Sequence, residues 1–261
     1  MAGAGLESEG WRAPGGLPPL GDDEVQVWQV RLSEALAALP YFASLLNDEE
    51  RRRAGRYIVE HPRDQFIVAR GVLRTLLGHV LGVAPQAVLL TIGEHGKPAL
   101  AGSSGIEFNV AHAKDVILIA LRRRVPVGID VEWLDPGMET LELAQTTFTP
   151  REAGLVAQAA PGRERLLAFY RCWTQKEAIV KADGRGLMLP LTLFEVPILD
   201  DAERALQSKV RVSAFEGRPE QIFDVFALGI GEDYIGTLAT QTPCGDVLSC
   251  RFPLPGPSIH R

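Results

Sequence analysis

The chain has 261 residues, of which 46% are hydrophobic and 23% are charged. This composition is typical of a globular protein with a sizeable core, and it argues against an intrinsically disordered chain. The 27 basic and 33 acidic residues give a net charge of −6, which disfavours a globally basic nucleic-acid-binding protein but leaves a local anion site open.

Cysteine content and hydropathy indicate the cellular setting. Cys172, Cys244 and Cys250 are too few for a disulfide framework and too irregularly spaced for a zinc site. No stretch reaches the roughly 20 apolar residues of a transmembrane helix, and the N-terminus lacks the basic and apolar regions of a signal peptide. We therefore expect a cytoplasmic protein with reduced thiols that associates with neither membranes nor nucleic acids.

The first quarter of the chain contains a polar tail, a strand and two helices. Glycine, proline and acidic residues dominate 1–24, which we predict to be a flexible tail. The alternation in VQVWQV predicts a strand over 25–30. Asn47 is a plausible N-cap for a helix that carries the arginines at 51–56, and apolar residues three and four positions apart predict a long helix over about 62–81.

A run of strands follows the long helix. We predict strands near 86–92 and 106–111. The segment DVILIAL at 115–121 is almost entirely apolar, which predicts a strand that is buried on both faces. The segment VPVGIDVE at 125–132 is predicted to be its hairpin partner.

The second half repeats the order of strand, long helix and strands. Three helices are predicted. The first covers about 139–147, the second begins after the N-cap Thr149, and the third covers about 163–182 and ends before Gly184. The further predicted strands lie near 193–197, 208–214, 223–229 and 233–239. The predicted organisation is a tail over 1–24, an N-terminal half over 25–124, a C-terminal half over 125–242 and an irregular tail over 243–261.

Two acidic residues lie in the apolar strand Gly128-Ile129-Asp130-Val131-Glu132. Side chains alternate along a strand, so Asp130 and Glu132 share one face while Ile129 and Val131 point into the core. Two carboxylates about 7 Å apart repel one another, and a divalent cation such as Mg²⁺ or Mn²⁺, which prefers oxygen ligands, would relieve that repulsion. The alternative is a solvated polar face of an amphipathic strand.

A third carboxylate lies in the apolar stripe of the second long helix. Glu177 falls on the same helical face as Tyr170, Trp173 and Val180. A carboxylate in such a position is costly unless it is paired or bound to a cation. The alternative is an ordinary helix-stabilising pair with Lys181, four residues later.

Several cations and one histidine complete the set of candidate residues. His112 ends the segment FNVAH, Lys97 lies in the turn Gly96-Lys97-Pro98, and Arg70 and Arg74 add to the arginines at 51–56. Each has an ordinary structural alternative: a hydrogen-bonded core histidine, a surface turn or a solvated face. Together with the three carboxylates they indicate a site for a polyphosphate ligand and a divalent ion.

Four segments resemble the 4′-phosphopantetheinyl transferases. VGIDVE at 127–132 and WTQKEAIVKADGRGL at 173–187 resemble the two signature stretches of that family, and FNVAH at 108–112 and GKPAL at 96–100 resemble two further blocks of its Sfp-type members. The four segments occur in the family's order. The chain length resembles the long type, which implies an α+β fold of two similar α/β halves that form an intramolecular pseudo-dimer within a monomer.

The resemblance implies an activity and a set of site residues. The enzyme would move the phosphopantetheine arm of coenzyme A onto a serine of an apo acyl or peptidyl carrier protein and release 3′,5′-ADP. Asp130, Glu132 and Glu177 match the family's magnesium-binding acids, Glu177 being also the candidate base, and Lys181 matches the lysine near the pyrophosphate.

The resemblance also implies contacts to coenzyme A. His112, Asn109 and Lys97 match contact positions, Pro98 would lie beside the adenine, and Arg53 would meet the 3′-phosphate. Two departures concern phosphate contacts. Alanines occupy positions 111 and 113, where many members have serine, and Glu50 stands where some members have a basic residue.

Three other functions are compatible with the same residues. A divalent-metal phosphohydrolase would use the same acids with water as nucleophile, although no second His and Asp cluster for a two-metal centre is present. A non-catalytic coenzyme A or nucleotide binder would bind without modifying a protein. A scaffold without a small ligand would leave Glu177 unexplained in its apolar stripe.

Overall fold

The computed structural model describes residues 11–93, 97–102, 104–198 and 207–255. Helices and strands are both present, as predicted for an α+β protein. The chain divides into two compact units. The N-terminal unit comprises Trp11–Arg124 and the segment that begins at Asp246, and the C-terminal unit comprises Val125–Gly245.

The helices of the described residues are α1 (Leu32–Ala35), α2 (Leu39–Leu45), α3 (Asp48–Ala54), α4 (Glu60–Leu81), α5 (Thr140–Thr147), α6 (Pro150–Gln158) and α7 (Arg163–Asp183). The strands are β1 (Val25–Arg31), β2 (Leu90–Ile92), β3 (Pro98–Leu100), β4 (Ile106–Ala113), β5 (Val116–Arg123), β6 (Val127–Trp133), β7 (Gln207–Val212), β8 (Gln221–Leu228), β9 (Tyr234–Gln241) and β10 (Val247–Arg251). Among these helices, none combines the length and apolar character that crossing a bilayer requires.

The N-terminal unit is built on a four-stranded sheet in the order β10-β1-β5-β4. Strand β1 is parallel to β10 and antiparallel to β5, and β5 is antiparallel to β4. Helix α4 shares one hydrophobic core with this sheet, in which Val72 and Leu76 join Trp28 and Ile119. Strand β5 is buried on both faces, as its apolar sequence predicts.

The C-terminal unit is built on an antiparallel sheet in the order β6-β9-β8-β7. Helix α7 shares the core of this unit, in which Phe169 and Ile179 join Phe223 and Ala239. In each unit the strand that precedes the long helix pairs antiparallel with a later strand, β1 with β5 and β6 with β9. This common order supports two similar halves; their pseudo-dimeric arrangement stays a prediction.

Capping residues set the helix boundaries that the sequence predicts. The Asn47 side chain accepts a hydrogen bond from the Glu50 N–H, and the Glu50 carboxylate accepts one from the Asn47 N–H. Thr149 and Glu152 form the same reciprocal pair at the start of α6. Helix α7 ends before Gly184, whose φ of 85° is a left-handed conformation that glycine adopts without strain.

Two predicted strand features are wrong. Strand β6 is not the hairpin partner of β5, because β5 pairs with β1 and β4 while β6 pairs with β9. The segment near 193–197 is not a strand: a 3₁₀ turn at Leu191–Leu193 leads into irregular backbone. The buried Lys176 amine binds the carbonyl oxygens of Leu191 and Phe194, so this backbone is paired with a side chain instead of a neighbouring strand.

Both chain ends depart from the predicted tails. Strand β10 lies within the segment predicted to be irregular, and it extends the N-terminal sheet beside β1. The backbone of Arg12 pairs with Ser249 and Arg251, and Leu20 is buried. These backbone pairs at the edge of the sheet join residues that are distant in sequence. A local sequence pattern therefore does not predict them. Residues 1–10 of the predicted tail lie outside the described residues.

Helix α7 lies against β6 at Gly128. A Cβ atom at this position would be 2.1 Å from the Ala178 carbonyl oxygen and 2.4 Å from the Ala182 nitrogen. These are backbone atoms of the helix, so no side-chain rotation could relieve the overlap. The absence of a side chain at Gly128 therefore permits the contact between α7 and the sheet.

We predict that Gly128→Ala destabilises the protein by about 2–4 kcal/mol, because the new methyl group must push α7 away from β6. Urea denaturation followed by circular dichroism measures the change. Gly154→Ala in α6 is the matched control, since the nearest heavy atom would be 4.0 Å away, and it should stabilise the helix by about 0.5–1 kcal/mol. Equal effects of the two substitutions would contradict the close contact.

Candidate active site

Strand β6 presents Asp130 and Glu132 on the face that α7 covers. Gly128 lies directly under α7, and residues two apart on a strand share a face. Ile129 and Val131 occupy the opposite face and are also buried. Strand β6 is therefore covered on both sides, and Asp130, with 5% exposure, does not belong to a solvated polar face.

An ion pair joins α7 to β6 inside this interface. The Lys181 ammonium donates to Oδ1 of Asp130 at 2.6 Å. Oδ2 of Asp130 is buried and has no hydrogen-bond partner among the described residues. Burial raises the pKa of Asp130, and the charge of Lys181 opposes that rise. A buried carboxylate oxygen without a partner is an available acceptor for a cation or a proton donor.

Glu132 and Glu177 complete an acidic cluster with Asp130. Burial raises the pKa of Glu132 to about 7, with a further contribution from the charge of Asp130, although the Trp173 side chain forms a hydrogen bond with Glu132. Burial and the charge of Asp130 also raise the pKa of Glu177, and Lys181 opposes this. The three carboxylates are thus electrostatically coupled, and the charge of Lys181, which contacts Asp130, opposes the rise in pKa at each of them.

The donor set of the acidic cluster suits a hard divalent cation, because it offers carboxylate oxygens and one oxygen of Asp130 is unpaired. Within the described ranges, no three His, Cys, Asp or Glu side chains are arranged as a metal site. The predicted metal role of Asp130, Glu132 and Glu177 therefore stays a prediction, supported by the chemistry of the residues and their electrostatic coupling.

The N-terminal unit contains a cavity of about 290 Å³. Its lining includes Arg53, Pro98, Asn109 and His112, four of the residues predicted to contact coenzyme A, which reach it from α3, β3 and β4. Lys97 directly precedes Pro98 but is not among the described residues that line the cavity. Gly96, which the sequence predicts to share a turn with Lys97, lies outside the described residues.

An aromatic ring and two guanidinium groups form one wall of the cavity. The Phe66 ring lies under Arg53 at 5.0 Å and under Arg70 at 5.7 Å, measured from each guanidinium carbon to the ring centroid. Arg70 also approaches Glu50 at 3.5 Å. The wall combines positive charge with a flat apolar surface, which suits an anion that carries an aromatic ring. The place of Phe66 in this wall was not predicted, because in the sequence Phe66 is one of the regularly spaced apolar residues that predict α4.

Arg74 does not belong to this wall. It is fully buried, and it donates to Glu50 at 2.7 Å and to the carbonyl oxygens of Pro85 and Val88 at 3.0 Å. The interpretation of Arg74 as part of a solvated or phosphate-binding group of arginines is wrong, because these three acceptors hold it in the core. The same contacts explain why an acidic residue occupies position 50: Glu50 balances the charge of Arg70 and Arg74.

Comparison with known proteins relates the segments that contain both candidate sites to one family. A model of the 4′-phosphopantetheinyl transferase superfamily matches residues 126–239, and a model of the N-terminal region of 4′-phosphopantetheinyl transferases matches residues 27–123. The first match contains the whole acidic cluster, and the second contains the described lining of the cavity.

Individual relatives cover much of the chain. The 4′-phosphopantetheinyl transferase HetI of Nostoc sp. is 34% identical over 201 residues, which are 76% of this chain and 84% of the relative. The 4′-phosphopantetheinyl transferase Sfp of Bacillus subtilis is 26% identical, covering 64% and 72%. The L-aminoadipate-semialdehyde dehydrogenase-phosphopantetheinyl transferase of Xenopus laevis is 28% identical, covering 81% and 76%.

The raised pKa of Glu132 predicts a pH-dependent stability. The folded-state value is about 7 and the ordinary value is 4.5, so between these values the folded state holds a proton that the unfolded state has lost. The free energy of unfolding contributed by Glu132 therefore falls as the pH rises through this range. We expect Glu132→Gln to become progressively more stable than the wild type as the pH rises from about 5 to about 8.

Urea denaturation in the presence of a chelator measures this difference. Glu164→Gln is the matched control, because Glu164 is exposed in the first turn of α7, and its stability difference from the wild type should not follow the same trend. A stability difference for Glu132→Gln that shrinks with rising pH would show that the folded protein does not penalise the charge of Glu132.

Proposed function

Because the chain belongs to the 4′-phosphopantetheinyl transferase family, we propose that it transfers the phosphopantetheine arm of coenzyme A to a serine hydroxyl of an apo acyl or peptidyl carrier protein. The products are the holo carrier and 3′,5′-ADP, and the reaction depends on magnesium or manganese. The observation that carries this proposal is the acidic cluster of Asp130, Glu132 and Glu177, with Lys181 bound to Asp130, inside the segment that matches the family.

The cavity of the N-terminal unit supports coenzyme A as the donor. Arg53 supplies a positive charge for the 3′-phosphate, and Phe66 and Pro98 supply apolar surface for the adenine. His112 and Asn109 add polar groups to the lining, and Lys97 is a further candidate contact. Alanines at positions 111 and 113 provide no hydroxyl groups, so phosphate recognition depends on the cationic side chains.

The acidic cluster supports a divalent cation as a cofactor. Asp130, Glu132 and Glu177 would hold the ion, and the unpaired Oδ2 of Asp130 is one available donor atom. When bound, such an ion supplies positive charge to a pyrophosphate. Its presence would also remove the like-charge repulsion that contributes to the raised pKa values of Glu132 and Glu177.

Glu177 and Lys181 act on the two oxygens that change their bonds in the transfer step, the serine oxygen and the leaving-group oxygen. The serine oxygen of the carrier forms a bond to the phosphorus next to the pantetheine arm, and the bond from that phosphorus to the 3′,5′-ADP oxygen breaks. Glu177 accepts the serine proton; burial raises its pKa, which makes it a stronger base than an exposed glutamate. Lys181 lies within reach of the cluster and stabilises the negative charge of the leaving group.

Several expectations about the cellular form belong to the same proposal. The enzyme acts in the cytoplasm as a monomer whose two similar halves form a pseudo-dimer. Its partners are coenzyme A and apo carrier proteins of fatty-acid, polyketide or nonribosomal-peptide synthesis, and neither nucleic acid nor a membrane takes part. The net charge of −6 agrees with the absence of nucleic-acid binding, and the three cysteines agree with a cytoplasmic protein that has reduced thiols.

Mass spectrometry of a panel of apo carrier proteins, incubated with the enzyme, coenzyme A and Mg²⁺, tests the proposal. We expect the mass of one phosphopantetheine group to be added to the serine of at least one carrier. Phosphate release without any modified carrier would instead indicate a phosphohydrolase. Saturable binding of coenzyme A without either product would indicate a non-catalytic binder.

We predict that Glu177→Gln lowers kcat by about 10²–10⁴, since it removes the base but keeps the shape of the side chain. A quenched time course measures the rate, with an apo carrier that the wild type modifies as the substrate. Thermal unfolding confirms that the variant folds. Glu164→Gln on the same helix is the matched control and should retain the wild-type rate. Near-normal turnover by Glu177→Gln would show that Glu177 is not the base.

Asp130→Ala tests the metal site. If the activity of this variant depends on the magnesium concentration as that of the wild type does, Asp130 is not a metal ligand.

We predict that Arg53→Ala raises the KM for coenzyme A about tenfold or more, because a charge-assisted contact to phosphate contributes about 1.5–3 kcal/mol. The kcat should change much less, since Arg53 contacts a part of the donor that does not react. Arg52→Ala is the control, because Arg52 is exposed on α3 and is not among the described cavity residues. Equal KM values for the two variants would mean that the cavity does not bind the 3′-phosphate.

A further inference from the structure

A buried pair of hydroxyl groups connects α7 to the sheet close to the acidic cluster. The side chains of Thr174 on α7 and Thr237 on β9 are hydrogen-bonded at 2.9 Å between their oxygens. Thr174 is 0% exposed and Thr237 is 3% exposed. Each hydroxyl therefore has the other as its hydrogen-bond partner in the buried interface between α7 and the sheet.

The register of the sheet places this pair beside Asp130. Thr237 is the residue of β9 that lies directly opposite Asp130 of β6, so their side chains stand next to each other on one face of the sheet. On α7, Thr174 is three residues before Glu177 and seven before Lys181, spacings that lie on the same side of a helix. The hydroxyl pair thus connects the same helix face and the same face of the sheet as the Lys181–Asp130 ion pair.

Two contacts therefore bracket Glu177 along α7. The hydroxyl pair holds the helix to the sheet about one turn before Glu177, and the ion pair at 2.6 Å holds it one turn after. The ion pair would be broken whenever Lys181 moves to another anion, such as a phosphate. The hydroxyl pair contains no charge and competes for no such anion, so it maintains the spacing when the ion pair is lost.

We propose that Thr174 and Thr237 form a positioning pair that sets the distance between α7 and the sheet at Glu177. This inference rests on the proposed transferase function, in which Glu177 is the base. Its physical basis is a difference in contact distance. Two hydroxyl oxygens approach to 2.9 Å, whereas two methyl groups in contact stay about 3.5–4.0 Å apart.

Replacing both hydroxyls by methyl groups should consequently move α7 outward by up to about 1 Å at this level. Displacements of that size at a reacting group lower rates by as much as about 10²-fold. The coenzyme A cavity is lined by residues of the N-terminal unit and includes neither threonine. The pair should therefore affect kcat and leave the KM for coenzyme A nearly unchanged.

Three variants separate positioning from stability. Thr174→Val leaves the Thr237 hydroxyl buried without a partner, and should lower Tm by about 2–4 °C. The double variant Thr174→Val/Thr237→Val leaves no hydroxyl unpaired but displaces α7, so its Tm should be no lower than that of Thr174→Val. Its kcat should nevertheless fall about tenfold or more. Thr174→Ser keeps the hydroxyl and should retain a kcat close to the wild type.

Thr75→Val is the matched control on the other long helix. The Thr75 hydroxyl bonds within α4, to the Gly71 carbonyl at 2.9 Å, and its loss should leave kcat unchanged. A double variant with normal Tm and normal kcat would overturn the inference. So would a kcat loss in the double variant that is matched by an equally large rise in the KM for coenzyme A.

Measuring the wild type first keeps this test distinct from the test of the function. A wild type that modifies no carrier overturns the proposed function and, with it, the inference. A wild type that modifies the carrier at the same kcat as the double variant overturns the inference alone. A low kcat in the double variant, with a Tm no lower than that of Thr174→Val and a kcat close to the wild type in Thr174→Ser, supports the positioning role.

Discussion

The direct contact of α7 with β6 is the constraint on which the candidate active site depends. Gly128 permits this contact, because any side chain there would overlap the backbone of the helix at Ala178 and Ala182. The contact brings the acids of β6 and the Glu177–Lys181 turn of α7 into one interface. A more distant helix would leave room for water, and the shifted pKa values that arise from burial would return toward their ordinary range.

Burial and charge balance differ between the two candidate sites. In the acidic cluster, burial raises the pKa values of all three carboxylates, and Lys181 opposes the rise at Asp130. In the cavity of the N-terminal unit, Arg53 and Arg70 lie against Phe66, with Glu50 near Arg70. One site is rich in negative charge and suits a cation, and the other is rich in positive charge and suits phosphate groups. The substrate that we propose requires both properties.

Local sequence patterns predicted much of the fold, because short-range physics decides the elements concerned. Apolar spacing predicted α4 and α7, and the caps at Asn47 and Thr149 predicted helix starts that the structure confirms. The predictions failed where pairing is non-local. Strand β10 exists because it pairs with β1, more than 200 positions earlier in the chain, and the partner of β6 is the distant β9 rather than β5.

Residue types and their order are enough to identify the residues that carry the candidate chemistry and the family that the chain resembles, since both are local properties. Alternation along β6 was enough to place Asp130 and Glu132 on one face. The environment of those residues follows from three-dimensional packing: α7 covers this face, Arg74 is a core residue rather than a phosphate contact, and Thr174 contacts Thr237. Burial, charge balance and hydrogen-bond partners depend on atoms brought together from distant parts of the chain, and a local pattern does not contain them.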